Sequence, residues 1–135
     1  ACNPLKLIGD ANLYKSLSSP LVVPKSLLSK NLRKKFKNLK LLDFAVGLKE
    51  NNFEFRKTGA VMPKLFTLVY ALSIATSGNA SKILLAGFDG YGPKDRRTKI
   101  VDELMYLYSS AKEAKPIIAV TPTSYSVASS SIYAL

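Results

Sequence analysis

The segment Gly87-Phe88-Asp89-Gly90-Tyr91-Gly92 holds the residues best suited to contact a ligand. Glycines at 87, 90 and 92 permit tight turns and let the backbone approach a bound group closely. Asp89 can receive a ribose hydroxyl or a metal, and Tyr91 offers a ring and a hydroxyl. Arg96 and Arg97 follow, and can pair with a phosphate in bidentate fashion. A second polar segment, Thr121-Pro122-Thr123-Ser124-Tyr125, places Thr121, Thr123 and Tyr125 beside the first if both leave neighbouring strands. The plain alternative stays open: the glycine segment also suits a structural turn, with Asp89 bonded to local N–H groups. Its spacing matches neither the dinucleotide fingerprint nor a phosphate-binding P-loop.

Composition removes several chemistries. The 135 residues contain no histidine and one cysteine, Cys2. A Cys/His zinc site, an internal disulfide and a Ser-His or Cys-His nucleophile pair are therefore outside this chain's means. Acid–base work would fall to Asp, Glu, Lys or Tyr. No catalytic residue, metal or cofactor is assigned.

The elements that must position these segments read as α/β. Leu5, Leu7 and Ile8 suit a strand end or an irregular turn, and 12–17 a short helix. Leu21-Val22-Val23 is a short strand-like run. Ser26 suits the N-cap of a helix reaching about Leu39, with Leu28, Leu32, Phe36 and Leu39 on one face. Lys30, Arg33, Lys34 and Lys37 fall opposite. A strand is expected in 40–46, ended by Gly47, and a half-exposed one around Phe53 and Phe55. Pro63 suits the first turn of an apolar helix to about Thr76, stopped by Gly78. Lys82 to Ala86 reads as a central parallel strand covered on both faces. A helix over 98–114 carries an inner stripe of Ile100, Val101, Leu104, Leu107, Tyr108 and Ala111. Ile117 to Val120 is a second buried strand, and 121–135 an irregular tail or short helix. The expected architecture is one domain: a Rossmann-like three-layer sandwich, with a mainly parallel sheet and helices on both faces. In such sheets ligands bind outside the carboxyl ends of the strands. That is where both polar segments would lie.

The net charge is +11, and seven of the 20 basic residues lie between Lys25 and Lys40. Such charge favours anionic partners, although a lysine-rich helix is most often a solvated face. With Phe36 in the apolar stripe, no stacking platform for single strands is visible, and nucleic acid is not the expected partner. No apolar run reaches the ~20 residues of a membrane span, and no secretory signal is visible. A cytoplasmic setting is expected. The abrupt opening at Ala1 reads as a piece of a longer or processed protein.

Two resemblances add to this reading. The stretches KTGAVMPKLFTLVYALSIA and KILLAGFDGYG resemble a region of bacterial sialyltransferase-like proteins, where a Ser/Thr-Gly turn opens a hydrophobic helix and a strand ends in Gly-hydrophobic-Asp-x-Tyr. This implies ligand roles for Thr58 and Gly59. Asn3-Pro4 is similar to the family's asparagine-containing nucleotide turn, which implies one for Asn3. More of the chain, through LLAGFDGYGPKDRRTKIVDELMYLY and AVTPTSYSVASSSIYAL, resembles the carboxyl-terminal domain of aldolase-like proteins of lipopolysaccharide and O-antigen clusters. Those carry an amino-terminal barrel similar to hydroxymethylglutaryl-CoA lyase and 4-hydroxy-2-oxovalerate aldolase, which is not present here. The family's sialyltransferases use a histidine base, which this chain lacks. The resemblances imply an accessory domain binding a nucleotide-sugar or phosphosugar, with the barrel as partner. A divergent glycosyltransferase with a base such as Asp89, and a ligand-free structural or oligomerisation domain, stand as alternatives.

Overall fold

The computed structural model describes residues 2–16, 18–92 and 94–134. Helices and strands are mixed, as the alternating pattern implies, and the strands form three small sheets.

The chain opens with two short helices, α1 (Pro4–Gly9) and α2 (Ala11–Lys15). The Asn3 side chain caps α1, its Oδ1 accepting from the N–H groups of Leu5 and Lys6. An Asn N-cap followed by Pro at the first position is a strong helix-start signal, and it overturns the strand or turn expected around Leu5–Ile8. Strand β1 (Leu21–Val23) follows, then a 3-10 turn at Lys25–Leu27 and helix α3 (Lys30–Lys35). The helix is shorter than expected. Ser29, not Ser26, is the cap, its hydroxyl accepting from Leu32 N–H at 3.3 Å. The expected stripe is only partly helical: Leu32 in α3 and Phe36 at its end are buried, Leu28 is buried from extended backbone before the helix, and Leu39 is half-buried beyond it, while Lys30, Arg33, Lys34 and Lys37 are exposed. With Leu7, Ala11, Leu21 and Val23 these apolar residues make one core cluster.

β2 (Leu41–Asp43) pairs parallel with β1, and β3 (Ala45–Leu48) pairs parallel with β5 (Gly59–Met62). Gly47 lies inside β3 rather than ending it. The chain changes sheets at Phe44. Its N–H donates to Val23 O (3.1 Å), while the next N–H, of Ala45, donates to Thr58 O (2.8 Å). The buried Tyr70 hydroxyl anchors this switch by donating to Phe44 O at 3.0 Å. β4 (Glu54–Arg56) completes the sheet antiparallel to β5.

Thr58 sits in the turn before β5 and Gly59 begins that strand, so the pair leads into a strand, not a helix. Helix α4 (Thr67–Ser77) begins four residues after Pro63, the span 63–66 forming a bend and an extended lead-in. Together with α5 (Arg96–Ser109) it packs on β6 (Ile83–Leu85) and β7 (Ile117–Ala119). Val101, Leu104, Met105 and Tyr108 are the fully buried residues of α5. β6, β7 and β8 (Ala128–Ser129) form a parallel sheet in that order. The tail thus supplies a strand and, at Ile132–Ala134, a 3-10 turn.

β6 corrects an expectation. It is an edge strand, and only Ile83 and Leu85 face the helices. Leu84 is 42% exposed. A continuous apolar run does not reveal which side of a sheet is covered. Leu84→Ala should therefore cost under about 1 kcal/mol, well short of the ~2–5 of a packed leucine. A denaturant midpoint lowered by the larger amount would put Leu84 in a covered interior. Among the described residues no helix is long and apolar enough to cross a membrane.

Candidate functional site

The loops leaving β6 and β7 converge. Gly87 N–H donates to Thr121 Oγ1 at 2.9 Å, and Ser124 N–H donates to Asp89 O at 2.9 Å. Gly87 and Gly90 hold φ of 64° and 110°, conformations that side chains other than glycine resist. A Cβ at Gly90 would overlap the Ser124 hydroxyl. Both glycines thus serve to bring the loops together.

Beside this junction lie two cavities. One, about 410 Å³, is walled by Phe66, Phe88 and Tyr91, with Asn3 and Thr67 at its polar side and Val101 of α5 below. The other, about 530 Å³, sits past the carboxyl end of β7 and is lined by Thr121, Thr123, Tyr125 and Ser129 to Ser131. Phe88 of the first cavity packs on Tyr125 of the second, ring centroids 5.1 Å apart. An aromatic cleft and a hydroxyl-lined cleft therefore flank one shared wall.

The sequence-derived site residues divide. Asn3 and Tyr91 meet in the aromatic cleft, and Thr121, Thr123 and Tyr125 meet in the hydroxyl cleft. Asn3 has committed its carbonyl oxygen to capping α1, which leaves its amide NH₂ for a ligand. The Asp89 side chain is exposed and has no partner among the described residues. Thr58 and Gly59 are elsewhere, in a shallow cavity with Ala45, Val46 and Arg56. There the backbone is in close contact, since a Cβ on Gly59 would come within 2.8 Å of Ala45 O. That glycine is explained by strand packing alone.

Arg97 lies over the Tyr91 ring, its guanidinium carbon 4.1 Å from the centroid. It also grips Asp95 through Nε (3.0 Å to Oδ1) and Nη2. Asp95 is the N-cap of α5, accepting from Arg97 N–H. The Arg97 side chain and backbone bonds hold the Asp95 carboxyl down at about 2. Arg96 is exposed, has no side-chain partner among the described residues, and lines neither cleft. A carboxyl depressed in the fold stabilises above its unfolded pKa of about 4 and loses that contribution as pH falls through its folded value. The α5 cap should accordingly loosen between about pH 4 and 2. A carboxyl NMR titration following Asp95 checks this, and a midpoint near 4 would dissolve the pairing.

Phe66, Thr67 and Phe88 were missed from sequence. Phe88 had a signal, lying between Gly87 and Asp89 in the same turn. Phe66 and Thr67 had none, because only the bend after Pro63 brings the start of α4 to this point. Cys2 is buried beside the aromatic cleft, and burial pushes its thiol up, which disfavours the reactive thiolate. Among the described residues no three potential metal-ligating side chains converge. Compared with known protein families, characterised proteins and solved structures, the chain shows no match.

Proposed function

We propose that the chain is an accessory domain binding a nucleotide-sugar or phosphosugar, attached to an aldolase-like enzyme of bacterial surface-polysaccharide synthesis. The observation that carries the ligand reading is the pair of clefts at the carboxyl ends of the parallel strands β6 and β7. An aromatic cleft suits a base, which stacks on rings with little regard to its edges. A cleft rich in hydroxyls suits a sugar. Arg96 and the positive surface supply the attraction for phosphate. The attachment to a barrel rests on the sequence resemblance.

The matching fold reading is a Rossmann-like three-layer sandwich. Its support is two units in which a helix joins neighbouring parallel strands, β1–α3–β2 and β6–α5–β7. Glycosyl transfer is the weaker reading, because no histidine is present and the Asp89 side chain is exposed.

Calorimetry with CMP, UDP, their sugars and sugar phosphates tests the proposal. Tyr91→Ala should weaken binding on the order of tenfold or more, the usual worth of one stacking ring being roughly 1–3 kcal/mol. Asp89→Ala should cost about 1.5–3 kcal/mol if its carboxylate receives a ligand hydroxyl. Binding indifferent to Tyr91 would move the site. No binding to any of these ligands would favour the ligand-free structural domain.

A further inference from the structure

The residues before Asp43 carry most of this protein's charge. They hold nine of the 20 Lys and Arg but a single acid, Asp10, so +8 of the net +11 resides there. All nine basic side chains are exposed. The two ion pairs among the described residues, Arg56–Glu54 and Arg97–Asp95, both lie outside this region. Arg33 is turned back onto the backbone, donating to Leu28 O and Lys25 O. Among the described residues the lysines have no carboxylate ion-pair partner.

The same region exposes large apolar side chains. Leu5 is 79% exposed, Leu13 66% and Ile8 50%. They point outward because Leu7 and Ala11 take the inward positions, packed with Leu32 and Phe36. α2 adjoins α3, the Tyr14 and Phe36 rings meeting edge to face at 6.3 Å. Leucines on α1 and α2 therefore share one unit with the lysines of α3.

We propose that this unit is a docking surface for an anionic lipid membrane, which it binds peripherally. The chemistry of the face selects that partner. Exposed leucines flanked by Lys6 and Lys15 suit the headgroup–acyl boundary, where apolar side chains enter and cations meet headgroups. Eight of the nine cations are lysines, point charges suited to a diffuse anionic surface rather than to bidentate recognition. A single-stranded nucleic acid would instead call for exposed aromatic rings, and Phe36 is buried; a duplex offers no apolar layer for the exposed leucines to enter.

Co-sedimentation of the whole chain with vesicles tests this. Vesicles of equal parts phosphatidylglycerol and phosphatidylcholine should bind it, and vesicles of phosphatidylcholine alone should not. Salt should weaken the binding. The pair Lys34→Glu and Lys37→Glu should weaken it on the order of tenfold or more, and so should Leu5→Ser with Leu13→Ser. All four positions are exposed, and circular dichroism of the variants is the check that they stay folded. Binding that ignores lipid charge, or keeps its strength in either double variant, overturns the proposal. So does binding to duplex or single-stranded nucleic acid by a chain that ignores the vesicles.

Discussion

Replacing Tyr108 with alanine should lower stability by roughly 3–5 kcal/mol, the range for deleting a large buried aromatic. Tyr108 is fully buried on α5 and joins three parts of the molecule. Its hydroxyl hydrogen-bonds the Thr76 hydroxyl at the end of α4 at 2.5 Å, and accepts from Lys115 N–H at 3.0 Å just before β7. Its ring is met edge-on by Phe53 and Phe55, centroids 5.7 and 5.9 Å away. Alanine leaves a cavity among these rings and strands the buried Thr76 hydroxyl. Phenylalanine separates the two effects. Tyr108→Phe keeps the packing and should cost about 1–3 kcal/mol for the unpaired groups. Urea denaturation of both variants measures this. Equal losses would assign the whole effect to the hydroxyl, and a negligible loss in Tyr108→Ala would show that α4 and α5 are not joined here.

Gly90→Ala should be the next most damaging change. The φ of 110° is strained for any side chain, at roughly 1–3 kcal/mol. The new Cβ also meets the Ser124 hydroxyl and its Cβ, the latter at 3.2 Å, so the loop after β7 must move away. That movement would pull Ser124 N–H from Asp89 O and separate the two clefts' shared wall. Gly90→Ala is thus expected to lower both stability and nucleotide binding. Gly87→Ala, where a Cβ meets nothing within 4 Å, should cost only the backbone strain. Equal stability in both variants would show that the contact with Ser124 carries no weight. Paired melting and binding measurements distinguish the two.

Local patterns in this chain were legible where one residue's chemistry decides an element. Leu32 and Phe36 reported their buried face because four-residue spacing returns to the same side of a helix, whereas Leu28 reaches the same core from the extended segment before it. β1, β4, β6 and β7 were marked by their own apolar runs or alternation. The glycines at 87 and 90 announced a special turn. Asn3-Pro4 carried an equally clear start signal, which a resemblance to a nucleotide turn obscured.

The sequence by itself determined the mixed α/β character, the charge, the absence of histidine chemistry and the residues of the two loops. Tertiary structure alone decided how the strands were shared among sheets. β2 and β3 are one nearly continuous run, and only the hydrogen bonds on either side of Phe44 divide it between two partners. It also decided that Leu84 faces outward on an edge strand while Ile83 and Leu85 meet the helices. Thr58 and Gly59 were separated from Tyr91 in the same way, and Phe66 and Thr67 were brought to it. Each of these outcomes depends on which distant segment arrives alongside, and residue spacing along the chain carries no record of that.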